Sequence, residues 1–319
     1  MPRDQNTIHR RDRAISLLGL PVERGAGTAG CLMGPAALRT AGLADMLGEL
    51  GHHVEDLGDL ARPAPLAYDL PGLTDRCNHV AEIAAWTGAI HDAAYAMAKR
   101  GGLPLFLGGD HSISMGTVSG IARHCADIGR ELVVLWIDAH ADFNTPATSP
   151  SGNLHGMAAA FLCGEPSLRP LIGNRPFVPL PHGNLKLFGQ RSIDPEEREA
   201  LKTCGVSCTD MRMIDERGVF PLISRLLSEI DPRTTHLHVS FDVDFVDPTI
   251  VPGTGTSVPG GATYREAHLI MELLSDSGLV GSADIVELNP FLDERGRSAR
   301  LAAELVSSLF GRTILERAA

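Results

Sequence analysis

Asp138-Ala139-His140-Ala141-Asp142 sets two carboxylates and an imidazole at alternate positions directly after the apolar run Leu132–Ile137. In an extended segment residues i, i+2 and i+4 share a side, so the three side chains are expected to converge. Carboxylate and imidazole together suit a divalent cation. A second acidic pair, Asp242 and Asp244, closes the run His236–Val243 with the same alternation. Two carboxylates leaving a buried strand end in one direction raise each other's pKa unless a cation lies between them. A third run, Leu103–Leu107, leads into Gly108-Gly109-Asp110-His111-Ser112, whose glycines permit a tight turn and bring another imidazole to the same edge.

Six candidate ligands follow: His111, Asp138, His140, Asp142, Asp242 and Asp244. Oxygen-rich donors with some imidazole and no thiolate favour Mn²⁺ ahead of Zn²⁺ and disfavour Cu(I) and iron–sulfur clusters. Four carboxylate charges match two divalent ions, which would lie ~3.5–4 Å apart with a bridging water or hydroxide as nucleophile. Hydrolysis is the chemistry this predicts. His155, in the polar loop Ser151-Gly152-Asn153-Leu154-His155-Gly156, can reach such a centre without being a ligand, and its ordinary pKa suits proton transfer near neutral pH. Glu287, near the end of the run Ala283–Leu288, is either a further ligand or a partner for a cationic substrate group. Asp284, at the start of that run, reads as structural, and Trp136 as a core residue.

These residues need a scaffold that delivers several strand ends to one place. The runs Ala14–Leu20, Leu103–Leu107, Leu132–Ile137, Leu185–Phe188, His236–Val243 and Ala283–Leu288 are short, and most are followed by helical spacing. They read as strands of a parallel sheet covered by helices on both faces. Val80, Ile83, Ala84, Ile90, Ala94 and Met97 mark one face of a helix that Lys99, Arg100 and Gly101 close. Thr263 and Glu266 have capping-box spacing ahead of another. In open sheets of this kind ligands bind beyond the carboxyl ends of the strands, where the candidate residues lie. With no repeat or dividing linker, the expectation is one domain over residues 1–319, with the Pro-rich stretches 62–71 and 169–181 as surface excursions.

Composition narrows the partners. The 319 residues are 44% hydrophobic and 21% charged, which places the chain among globular proteins. Twenty-eight basic against 39 acidic residues, and 5% aromatic content, provide no electrostatic or stacking platform for nucleic acid. The six cysteines form no CxxC pair and read as reduced thiols of a cytoplasmic protein. The polar stretch Met1–Arg13 reads as no secretion signal. No apolar run approaches the roughly 18 residues needed to cross a bilayer. Nor does GxGxxG or GxxxxGK[ST] follow a strand, which argues against nucleotide binding.

Together GGDHS (Gly108–Ser112), DAHAD (Asp138–Asp142), SGNLHG (Ser151–Gly156), SFDVD (Ser240–Asp244) and ELNP (Glu287–Pro290) resemble the ureohydrolase superfamily, and within it the arginase family most closely. The resemblance runs from Ala14 to near Leu309 and implies a three-layer α/β/α sandwich around a parallel sheet. It further implies two Mn²⁺ per subunit: one held by His111, Asp138, Asp142 and Asp242, the other by Asp138, His140, Asp242 and Asp244. A metal-bridging hydroxide would attack the guanidinium carbon, His155 would shuttle the proton, and Glu287 would pair with the guanidinium. Asn144, Ser149 and Ser151 match the positions that hold an α-carboxylate, and Asp194 the acid that holds an α-amino group, which favours hydrolysis of L-arginine to L-ornithine and urea. Ser149 stands where many relatives carry Thr, and Ser192 where an acidic residue is common. The alternatives are a sister ureohydrolase acting on agmatine or a guanidino acid, and a non-catalytic metal-binding relative. Tyr264-Arg265-Glu266 resembles a subunit-contact segment, implying a homotrimer or homohexamer.

Overall fold

In the computed structural model, which describes residues 12–315, eight strands form one sheet. They are β1 (Ala14–Leu20), β2 (His53–Asp59), β3 (Leu103–Gly108), β4 (Glu131–Ile137), β5 (Leu185–Phe188), β6 (Ser207–Thr209), β7 (Thr235–Asp242) and β8 (Val280–Val286). Their order is β2-β1-β3-β8-β7-β4-β5-β6, and every neighbouring pair is parallel. The polar N-terminal stretch lies outside the described residues up to residue 11.

Among the described residues ten α-helices cover the sheet: α1 (Gly34–Thr40), α2 (Leu43–Glu49), α3 (Val80–Arg100), α4 (Ile113–Asp127), α5 (Ala158–Leu162), α6 (Pro195–Cys204), α7 (Met211–Arg217), α8 (Val219–Ser228), α9 (Tyr264–Ser277) and α10 (Arg297–Leu309). Alternate strand residues divide the core in two. Leu105, Val133, Leu135 and Val239 pack with apolar residues of α1, α2 and α7 to α10. Phe106, Leu132, Val134 and Trp136 pack with α3 to α6 on the other face. Sheet and two helical layers make the expected three-layer sandwich. Both faces are buried, so the central strands read as unbroken apolar runs.

α3 spans the predicted face and ends at Gly101, whose φ of 81° favours glycine. The capping box of Thr263 and Glu266 starts α9. The two strands missed by pattern are both at edges. β2 is charged and largely exposed, and β6 has only three residues, as edge strands often are. The excursion at 169–181 is not wholly superficial, since Leu171, Ile172 and Leu180 are buried. Among the described residues no helix is long and apolar enough to cross a membrane.

Candidate binuclear metal centre

Four adjacent central strands, β3, β8, β7 and β4, bring the candidate residues to one edge. His111 follows β3, Glu287 follows β8, Asp242 ends β7, and Asp138 follows β4. The extended alternation expected of the two acidic motifs is replaced by turns. Asp142 has φ 49°, and a short 3-10 turn, Val243–Phe245, follows Asp242. The ligands therefore divide into two clusters rather than one row. His111, Asp138 and Asp142 form the first; Asp138, His140 and Asp244 form the second. Asp138 is common to both. Glu287 lies one residue beyond its strand, not within it, with φ 62°. Left-handed backbone at non-glycine residues is strained and here falls on two site residues.

The donor set fits divalent ions, and His111 supplies the test. Its Nδ1 lies 3.1 Å from Asp138 Oδ2, 3.0 Å from Asp142 Oδ2 and 3.2 Å from Asp242 Oδ2. It is fully buried and makes a well-aligned hydrogen bond to none of them. Three carboxylate oxygens and an imidazole nitrogen aimed at one point are a cation cage. Across the centre, His140 Nδ1 lies 3.1 Å from Asp244 Oδ2 and 3.4 Å from Asp138 Oδ1. Burial, with Asp244 and Asp138 alongside, pushes Asp242 well above the usual carboxylate range. Burial opposes charge on His140, but Asp244 and Asp138 outweigh it and hold the ring protonated up to about 12. Asp142 and Asp242 pushed up beside His111 and His140 pushed up describe surplus negative charge, which bound cations would neutralise, while, against burial, those two imidazoles hold Asp138 below the usual carboxylate range.

Trp136, expected to be only a core residue, supports the centre from below. Its ring stacks on His111 at 4.1 Å between centroids, and Nε1 donates to Asp138 Oδ2 at 2.9 Å. Such contacts orient ligating groups.

A cleft opens onto the centre, lined in part by His140, Asp142, Asn144, Ser149, Ser151, His155, Asp194 and Asp242. Asn144 Oδ1 accepts from Thr148 Oγ1 at 2.9 Å, and its Nδ2 donates to Asp194 Oδ2 at 2.9 Å. Ser149 Oγ accepts from Gly152 N at 3.0 Å and Ser151 Oγ from Asn153 N at 3.2 Å, so both hydroxyl protons remain for another acceptor. Glu287 is placed behind His155. Its Oε1 accepts from His155 Nδ1 at 2.9 Å and from His111 N at 2.8 Å, whereas among the described residues Oε2 meets only the Cys31 thiol, at 3.5 Å. Burial disfavours charge on His155, yet Glu287 prevails and raises its pKa to about 9.

Two polar cleft residues, Glu197 and Thr256, carry no motif of the sequence analysis. Glu197 accepts from Phe143 N at 2.6 Å and Asp194 N at 3.1 Å, and burial, followed by the negative charge of Asp142, pushes it up to about 7. Its spacing from Asp194, that of a capping box at the start of α6, is the signal that could have found it. Thr256, which donates to Asp244 Oδ2 at 3.1 Å, sits in an irregular Gly- and Pro-containing loop with no periodicity to mark it.

Fold and site together define a hydrolase built around a binuclear metal site. The Arginase family model matches residues 13–311, and the chain belongs to that family. It is 49% identical to the arginase of Agrobacterium fabrum over 97% of this chain and 95% of that protein. It is 50% identical to that of Brucella suis over 94% and 97%, respectively. Among solved structures, native Bacillus caldovelox arginase superposes with a TM-score of 0.86 at 38% identity, covering 95% of this chain and all (100%) of that one. Entamoeba histolytica arginase in complex with L-ornithine gives 0.82 at 26% identity, with 95% and 100% coverage.

Proposed function

We propose that this chain hydrolyses L-arginine to L-ornithine and urea, with two Mn²⁺ held as the family resemblance assigns them. His111, Asp138, Asp142 and Asp242 hold one ion, and Asp138, His140, Asp242 and Asp244 the other. The observation that carries the reading is the convergence of three carboxylate oxygens on His111 Nδ1 at 3.0–3.2 Å, beside a cleft that Asp142 and Asp242 also line. Relatives at 49% and 50% identity, named arginases, support the substrate.

Divalent ions held by these residues would supply Lewis acidity that makes a bound water nucleophilic near neutral pH. The chain's own residues do the rest. Glu287 is buried behind His155, with Oε1 engaged by two donors and Oε2 by the weak Cys31 thiol donor, so Oε2 is the atom that would exchange its partner for the guanidinium and align its carbon. His155, protonated at neutral pH and held at Nδ1 by Glu287, offers its Nε2 proton to the departing amine. Water oxygen becomes the urea oxygen, the guanidino C–N bond breaks, and the amine leaves as ornithine. At the far end, the free protons of Ser149, Ser151 and Asn144 meet the α-carboxylate. Asp194, with Oδ1 unused by Asn144, meets the α-amino group.

The reading includes one catalytic domain spanning the chain, a cytoplasmic location and assembly as a homotrimer or homohexamer. The exposed Tyr264 on α9 supports the last. The rival substrates, agmatine and guanidino acids, lack one of the two α-groups this cleft is equipped to hold. Urea release by Mn²⁺-loaded protein from arginine, agmatine and 4-guanidinobutyrate at equal concentration tests the assignment. Arginine should lead clearly, and a preference for agmatine would overturn it.

A further inference from the structure

Asp284 has no part in the cleft, yet it is the most heavily solicited buried carboxylate in the sheet. Cross-strand register sets Phe106, Asp284, Ser240 and Trp136 side by side on β3, β8, β7 and β4. One row below, His238 pairs with Ser282. Asp284 Oδ1 accepts from Ser240 Oγ at 2.6 Å. Its Oδ2 accepts from Thr117 Oγ1 at 2.6 Å and Ser114 Oγ at 3.1 Å, both on α4, and lies 3.2 Å from His238 Nε2. Ser240 Oγ in turn lies 2.9 Å from His111 Nε2.

Proton counting fixes the direction of every bond. An ionised carboxylate only accepts. Ser240 has one hydroxyl proton, and Asp284 takes it. Its oxygen can then only accept from His111, so Nε2 carries a proton, and in the neutral ring that a metal ligand must be, Nδ1 is the lone pair. That lone pair is the atom facing Asp138, Asp142 and Asp242.

Resting on the metal-centre reading above, we infer that Asp284 is a positioning residue for the metal centre, acting through Ser240 to lock His111 in the tautomer and orientation that aim Nδ1 at the ion. His140 stands apart. It is partly exposed, and among the described residues no side chain is hydrogen-bonded to its Nε2. The support is therefore one-sided and belongs to the His111 ion.

The test is a titration of metal-free protein with Mn²⁺, reading free Mn²⁺ by electron paramagnetic resonance. The unchanged chain binds two ions. Ser240→Ala weakens one of the two binding steps by about tenfold to hundredfold, the range for lost outer partners of ligands. Ser240→Thr keeps the hydroxyl and restores affinity, whereas a purely space-filling role would be served by Ala and not depend on the hydroxyl. Asp284→Asn, with one accepting oxygen, produces the same one-step loss; if it does not fold, Ser240→Ala and Ser240→Thr decide. Wild-type affinity at both steps in Ser240→Ala overturns this inference alone, and so does equal weakening by Ala and Thr. Failure of the unchanged chain to bind Mn²⁺ overturns the metal-centre reading and this inference with it.

Discussion

Glu287 and His155 share a 2.9 Å hydrogen bond from Nδ1 to Oε1, and that one contact ties the strained residue after β8 to the polar loop after β4. The carboxylate charge is what lifts the imidazole to about 9 against the opposing effect of burial. Glu287→Gln removes the charge and keeps the shape. In metal-free protein the ring of His155, followed by NMR against pH, should then lose its proton at least about one pH unit lower. An unmoved titration would break the link between the two residues.

His155→Ala tests the proton donor apart from the metal. The backbone bond from His155 N to Gly25 O, at 3.1 Å, survives the change, so the loop is expected to keep its place. Urea release should fall by about 10²- to 10⁴-fold while metal analysis still finds two ions. Unaltered turnover would remove His155 from the reaction.

Asp244→Asn addresses the second ion. Asp244 lies against His140, accepts from Ala139 N at 3.1 Å and from Thr256 Oγ1 at 3.1 Å, and so anchors that side of the centre. An amide keeps the volume but loses the anionic donor. The expected product binds one Mn²⁺ per subunit instead of two, measured after gel filtration. Two retained equivalents would refute the ligand assignment.

The central strands, and the gathering of the six candidate ligands at their ends, were legible because burial on both faces leaves apolar runs and because carboxylates and imidazoles cluster where those runs stop. The geometry between ligands was not. Alternation predicts a row, but Asp142 in left-handed backbone and the turn at Val243–Phe245 fold each motif back, which is how one shared residue, Asp138, comes to face both clusters. Trp136 was hidden for a different reason: an indole in an apolar run has the same pattern whether or not its N–H holds a carboxylate. Asp284 read as structural because its partners on β7 and α4 are more than 40 residues away in the chain, with Ser240 44 residues distant.

In the proposed function Asn144 joins the two ends of substrate recognition, since its amide is held by Thr148 on one side and holds Asp194 on the other. Asn144→Ala removes a donor to the α-carboxylate and frees Asp194 to turn. KM for arginine should rise about tenfold to hundredfold, the worth of one charge-assisted hydrogen bond, with kcat changed much less. Agmatine, which has no α-carboxylate, should be affected less, so the ratio of kcat/KM for the two substrates measures the effect. Equal losses on both would place Asn144 outside carboxylate recognition.

Acid stability depends on histidines far from the cleft. Burial, with His238 and Arg130 adding unfavourable positive charge, depresses His236 from 6.5 to about 3. Burial likewise lowers His91 from 6.5 to about 4. Between the two values the unfolded chain binds a proton that the folded chain refuses, so stability is fully present above pH 6.5 and declines as the pH falls. Each such group contributes a slope of up to about 1.4 kcal/mol per pH unit. His236→Gln can still donate to Ser282 Oγ, the partner His236 Nε2 meets at 2.8 Å, but has nothing to titrate. Thermal melts between pH 6.5 and 4 should show a shallower fall of Tm in the variant, with the remaining slope due in part to His91. Parallel curves for the two proteins would mean that His236 takes up its proton without resisting the fold.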